Sequence, residues 1–391
     1  PYDEDFHHSS NPRTGSAAMS TVEAIPTMQA AVLYGKQDLR LETVPRPRPE
    51  AGELIVRLGA ALTCGTDLKV FRRGYHARML QPPVPFGHEI AGVVEEAGAG
   101  ATFEPGDRVV ALNSAPCGRC FFCRDQQENL CDDLLFNNGA YAEYLRVPAR
   151  IAARNTLRLP ASLAFEHAAL TEPLACVMLG LEQSNARAGD TLAVIGAGPI
   201  GLLFVHAASL AGLRVIAVAK HPEQAATAEA LGAAETLMLP ADGSSPVGGV
   251  RALTPEGRGV DIAIEAVASP VTWGWAVDMA RKGGTVNFFG GPPAGTRVSL
   301  DTNQLHYSGL TLRASFHHTP HTVRQAFALL AGGRFQAERF LTGRTRLADI
   351  VNLYHSMCNG TSANGHPANG AAKIGNGAAR GTRTIKTVIL P

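Results

Sequence analysis

The chain has 391 residues, enough for two domains, and its 45% hydrophobic and 18% charged content is that of an ordinary globular protein with a sizeable core. With 35 basic against 34 acidic side chains the net charge is +1, which excludes the broad basic field that binding to a nucleic-acid backbone needs. No run of about 18 apolar residues occurs, so no membrane contact is expected. The first residues show no basic start followed by an apolar stretch, and a cytoplasmic location is expected.

Residues 1–27 read as a polar extension, and the first strand-like run is Gln29–Tyr34. Up to residue 173 the strand-like runs are short and broken by Gly and Pro. Leu54–Leu58, Ile90–Glu95 and Arg108–Leu112 are examples, the last entered through a turn at Pro105-Gly106. This pattern predicts a β-rich domain. From 174 to 317 the pattern alternates. Strands are predicted at Thr191–Ile195, Arg214–Val218, Val260–Glu265, Thr285–Phe289 and Leu310–Ala314. Helices are predicted at Ile200–Ala211, Pro222–Leu231 and Val271–Arg281. Such alternation gives a parallel sheet with helices on both faces, an α/β architecture. A helix at Pro320–Ala331, started by its Pro, follows. Residues 359–383 repeat Asn, Gly and Ala and read as a flexible surface insertion before a final strand, Thr384–Leu390.

Four of the seven cysteines, Cys117, Cys120, Cys123 and Cys131, fall within fifteen residues in a lobe at 113–133. Clustered thiols at this spacing indicate a metal site in a reducing compartment more than a disulfide scaffold. Four thiolates close the shell around Zn²⁺ and leave no open position, so this zinc is expected to be structural. A second constellation is Cys64-Gly65-Thr66-Asp67 with Gly87-His88-Glu89. Thiolate, imidazole and carboxylate suit a catalytic zinc with one position open. On spacing alone, Cys64 also reads as a small buried hydrophobe and His88 as a satisfied polar group. The third signal is Gly196-x-Gly198-x-x-Gly201, with Pro199 and Ile200 inside it. It follows an apolar strand and opens a helix. That is the context for dinucleotide binding, with the pyrophosphate at the helix N-terminus.

Gly87-His88-Glu89, the four-cysteine lobe, Glu172-Pro173-Leu174 and the stretch Val194–Gly201 occur together in this order, and the chain resembles the zinc-dependent medium-chain dehydrogenase/reductase family. The resemblance covers roughly residues 28–358 and the last strand. Its nearest branches are the sorbitol (polyol) and threonine dehydrogenases. It implies a GroES-like catalytic domain from 28–173 with a return at 318–391, a Rossmann domain from 174–317, and an active site between them. It places the catalytic zinc on Cys64, His88 and Glu89, with Glu172 approaching the metal or its water, for two zinc ions per chain. Glu172 read without the resemblance is an N-cap or a charged surface residue. Thr66 matches the hydroxyl of the family's proton relay. Cys176 reads as core, and Cys358 has no evident partner. A homodimer or homotetramer is implied.

Two departures stand out. Lys69 occupies the place where many relatives carry the histidine that ends the relay, and the stretch 359–383 interrupts the connection to the last strand. The cofactor end of the pattern is also informative. NAD-binding domains usually carry an acidic residue about 20 positions beyond the glycine motif. Here Ala219 stands there, followed by Lys220 and His221, so NADP is expected over NAD. The expected activity is hydride transfer between NAD(P) and a small secondary alcohol, a polyol or a sugar-derived alcohol. A threonine or amino-alcohol dehydrogenase is the near alternative. A non-catalytic zinc-stabilised binding protein of the same fold and a zinc-free reductase are more distant ones.

Overall fold

The computed structural model describes residues 25–76, 78–359 and 384–391. The expected insertion, apart from Asn359, and most of the N-terminal extension lie outside the described residues.

The alternating segment forms a six-stranded sheet in which every neighbouring pair is parallel. Its spatial order is Glu235–Met238, Arg214–Ala219, Thr191–Ile195, Val260–Glu265, Ala280–Phe288, Thr311–Ala314. Counted along the chain this is the order 3-2-1-4-5-6, which reverses direction beside Thr191–Ile195 and leaves a crevice at the carboxyl ends of the two central strands. The central strands Thr191–Ile195 and Arg214–Ala219 are apolar without alternation because both faces are covered. Leu192 and Val194 enter one core with Leu202, Leu203 and Val205 of the helix Pro199–Leu210, whereas Ala193 and Ile195 enter another with Ala276 and Met279 of the helix Pro270–Met279. One boundary differs from expectation. The helix predicted to reach Arg281 stops at Met279, and the following strand starts at once with Ala280 rather than at Thr285. The pairing register shifts there, and Gly283 supplies a left-handed φ of 69° in the irregular stretch.

The β-rich part has a seven-stranded sheet built around Leu54–Leu62. That strand pairs antiparallel with Glu89–Ala97 on one edge. Its other edge is divided between Tyr144–Val147 and Lys386–Leu390. The last of these pairs in parallel with Leu341–Arg346. Helices not anticipated include Gly65–Arg73, Ala149–Asn155, Ile350–Asn359 and Thr171–Gln183. The last runs across the expected domain boundary at 173/174 and packs with Pro320–Ala331. No helix among the described residues is long and apolar enough to cross a membrane.

Candidate active site

The site grows from the end of the central strand. Leu62 pairs with Glu89 on one side and with Val388 on the other. Glu89 and Lys386 are thereby brought together. The Lys386 Nζ donates to both carboxylate oxygens of Glu89, at 2.7 and 2.6 Å, and to the Thr63 carbonyl at 3.0 Å. Both side chains are almost fully buried, at 0% and 2% exposure. Burial pushes the Glu89 pKa up, against the pull of the Lys386 charge. Sequence reasoning missed Lys386. The available signal was one lysine in an apolar final strand.

Cys64 is the N-cap of the helix Gly65–Arg73, and its sulfur accepts from the Thr66 amide at 3.4 Å. One turn in, buried Asp67 accepts from His88 Nδ1 at 2.9 Å. This fixes the ring, leaves Nε2 for a metal and makes the imidazole a better donor. Tyr141 Oη donates to the other Asp67 oxygen at 2.8 Å and lies 2.7 Å from the Tyr354 hydroxyl. The donor atoms of Cys64, His88 and Glu89 all lie within 4.8 Å of one another. Thr66 is half-buried beside them, whereas Lys69 is exposed on the helix.

Glu172 lies in the first turn of Thr171–Gln183, but the N-cap is Leu170, and Glu172 is only 7% exposed. Neither the capping nor the surface reading of this residue holds. Burial raises its pKa to about 7 although His88 pulls it down. Its donor atom lies within 4.8 Å of those of Cys176 and His317. Cys176, read from sequence as core, therefore has to be reassigned. It follows Glu172 by one helical turn, is half-buried, and its sulfur is 3.9 Å from the Glu172 carboxylate. Cys358 stays apart, packed against the core of the β-rich part. His317 and His318 went unnoticed in the sequence because the segment between the last parallel strand and Pro320 carries no motif. Buried His318 approaches the Asn113 side chain at 3.2 Å, and desolvation lowers its pKa to about 3.

In the four-cysteine lobe, Cys117 and Cys123 sulfurs are 3.9 Å apart and Cys120 and Cys131 sulfurs 3.8 Å apart. A tetrahedron with Zn–S bonds of about 2.3 Å has edges of about 3.8 Å, so the donor set fits the ion. The Arg119 amide and then that of Cys120 lower the Cys117 pKa to about 6, and the Asp132 and Cys123 amides lower that of Cys120. Backbone N–H groups thus favour thiolates here. Desolvation pushes Cys123 the other way, up to about 12, a cost that a bound cation offsets.

At the crevice, Gly196 has a φ of 99°, which suits glycine. A Cβ on Gly201 would fall 1.8 Å from the Gly196 carbonyl, so this turn closes only on glycine. Gly198 caps the helix Pro199–Leu210, no side chain caps its amides, and the space where a Cβ would stand is open. A phosphate fits that position. A groove of about 450 Å³ begins there, lined by Gly198, Pro199, Gln224, Arg339 and Thr384 among others. Ala219 ends its strand fully buried, Lys220 is exposed, and His221 is the N-cap of the next helix.

Comparison with known proteins agrees with this geometry. Residues 50–159 match the alcohol dehydrogenase GroES-like domain and residues 199–332 the zinc-binding dehydrogenase domain. The chain is 31% identical over 328 residues to an L-threonine 3-dehydrogenase of Bacillus velezensis, spanning 82% of this chain and 92% of the other. It is 27% identical to a sorbitol dehydrogenase of Bacillus subtilis, with 82% and 90% covered. A zinc-binding dehydrogenase from Sinorhizobium meliloti, solved bound to NADP, superposes with a TM-score of 0.79 at 29% identity, over 94% of this chain and all of that one.

Proposed function

The chain belongs to the zinc-containing medium-chain dehydrogenases, NAD(P)-dependent oxidoreductases acting on CH–OH groups, and we propose that it oxidises a secondary alcohol of the polyol or sugar-derived class. The observation that carries this is that the donor atoms of Cys64, His88 and Glu89 lie within 4.8 Å of one another, with buried Glu172 close enough to feel the charges of His88 and Glu89. Cys64, His88 and Glu89 would hold the catalytic zinc, with Glu172 as the mobile carboxylate, and Cys117, Cys120, Cys123 and Cys131 the structural one.

A zinc ion held there supplies Lewis-acid polarisation of the substrate oxygen, and the nicotinamide supplies the hydride acceptor. The protein's own groups do the rest. Asp67 orients His88, and Lys386 holds the Glu89 carboxylate in place. The Thr66 hydroxyl takes the substrate proton outward. Lys69 is exposed, so the path from Thr66 ends in solvent rather than on a histidine. Gly196, Gly198, Pro199, Ile200 and Gly201 receive the pyrophosphate. The absence of a carboxylate at Ala219, with Lys220 and His221 beside it, favours NADP. The NADP-bound relative supports that reading. A dimer or tetramer is the assembly we expect.

Threonine or amino-alcohol oxidation is the competing reading, favoured by the 31% identity to a threonine dehydrogenase. An oxidation screen of polyols, sugars and amino alcohols with both cofactors tests the assignment. The highest kcat/KM for an amino alcohol would overturn it.

A further inference from the structure

Four cations gather at the end of the parallel sheet that faces away from the crevice. Arg251 belongs to the helix Val247–Ala252, Arg258 precedes the strand Val260–Glu265, and Arg281 and Lys282 stand at the start of Ala280–Phe288. They line a cavity of about 500 Å³, to which Gln304 and Ser308, one turn apart on the helix Thr302–Ser308, also contribute. The volume is that of a small-molecule site. The strand Val260–Glu265 runs from this cavity toward the crevice, so about 17 Å of sheet separates the two.

The charge here is not answered within the protein, although the whole chain has a net charge of only +1. Among the described residues, Asp261 is the one carboxylate paired with these cations, at 2.5 Å from Arg281 and 3.8 Å from Arg258. Arg251 is nevertheless fixed. Its Nη1 donates to the carbonyls of Asp278 at 3.1 Å and Ala280 at 3.4 Å, and its Nη2 to the Arg258 carbonyl at 3.0 Å. Gly259 makes room for this guanidinium. Its φ is 99°, and a Cβ there would come within 3.0 Å of the Arg251 Nη1 and 2.6 Å of the Met279 carbonyl. Arg281 is held in the same manner, by Asp261 and by the Lys282 carbonyl at 2.7 Å. Carbonyls satisfy these donors but carry no net charge, so four cations face one carboxylate. Guanidiniums already fixed lose little freedom when they bind, and their planar forks match phosphate oxygens.

We propose that this cavity binds a small molecule carrying a diphosphate group, at a site separate from the cofactor groove. A single phosphate carries about two charges at most and leaves part of the excess unanswered, whereas two phosphates carry about three or more. Gln304 and Ser308 offer neutral donors to the remaining oxygens. The rival is a set of arginines that serves only to tie the strand ends together.

The test titrates inorganic pyrophosphate by calorimetry, at low salt, into zinc-loaded protein saturated with reduced cofactor, so that the glycine turn is already occupied. Zinc content is checked before and after. Wild type should show one saturable site per chain. Lys282→Glu should weaken binding about tenfold or more, the worth of a charge-assisted contact. Arg258→Gln should also weaken it and covers a folding defect in the first variant. Both substitutions keep the backbone carbonyls that fix Arg281 and Arg251. Arg324→Glu, which reverses an exposed charge on the helix Pro320–Ala331, should leave affinity within about twofold. ADP in the same titration separates two sources of the group: comparable or tighter binding supports a diphosphate ester, and weaker binding a free diphosphate. No saturable binding by wild type, unchanged affinity in both cavity variants, or equal weakening in Arg324→Glu overturns the proposal.

Discussion

Replacing Lys386 with Met removes the ammonium while keeping most of the side-chain volume. Three hydrogen bonds of 2.6 to 3.0 Å go with it, two donated to Glu89 and one to the Thr63 carbonyl. Glu89 is fully buried, so with no metal ion at the site its charge then has no compensation. Removing one partner of a buried pair costs about 3–5 kcal/mol, whereas removing both charges is often close to neutral. Lys386→Met should therefore lower unfolding stability by about 3–5 kcal/mol. The double variant with Glu89→Gln should recover at least about 2 kcal/mol of that loss. The assay is urea unfolding, followed by tryptophan fluorescence, at all four corners of the cycle with the Cys64–His88–Glu89 site left free of metal, so that metal binding does not enter the comparison. Single effects that add within about 0.5 kcal/mol, as independent sites do, would refute the coupling.

Thr66→Val keeps the shape and removes the relay hydroxyl. Its kcat should fall by about 100-fold or more with cofactor affinity within about twofold, and a wild-type rate would mean that the proton leaves by another route. Cys120→Ser breaks the four-sulfur shell. One zinc per chain should be lost and the thermal midpoint should drop before any direct effect on catalysis, which zinc content and melting of the same sample would check. Wild type should show a higher kcat/KM with NADP than with NAD, and Ala219→Asp combined with Lys220→Leu should shift the ratio toward NAD. A clear NAD preference in wild type would contradict this.

What could be read from sequence was what repeats locally. The centre of the parallel sheet was legible because Thr191–Ile195 and Arg214–Ala219 are apolar runs with the Gly196–Gly201 turn and a helix between them, whereas the short edge strand Glu235–Met238 was missed. The four cysteines were legible because all their donors lie on one loop. The active site was harder because it is assembled by strand pairing across the chain. Lys386 reaches Glu89 only because Leu54–Leu62 binds both of their strands. Tyr141 and Tyr354 meet at Asp67 through three separate elements. Cys176 was misread because a buried-looking cysteine in an apolar helix gives no hint that Glu172, one turn earlier, and the distant His317 lie beside it. His317 lies in a connection whose course depends on how the two halves of the chain dock. Lys69 was visible as a departure, and it is exposed on its helix.

The central claim is that zinc at the Cys64–His88–Glu89 cluster is required for turnover. Zinc content and alcohol-dependent reduction of the cofactor should be measured on one preparation before chelation, after partial chelation and after zinc is restored. The account predicts about two zinc ions per chain at full activity. Activity should be lost as the first ion leaves and should return with added zinc, and His88→Ala should be folded, retain the structural ion and be inactive. Full activity in protein that contains no zinc would contradict it.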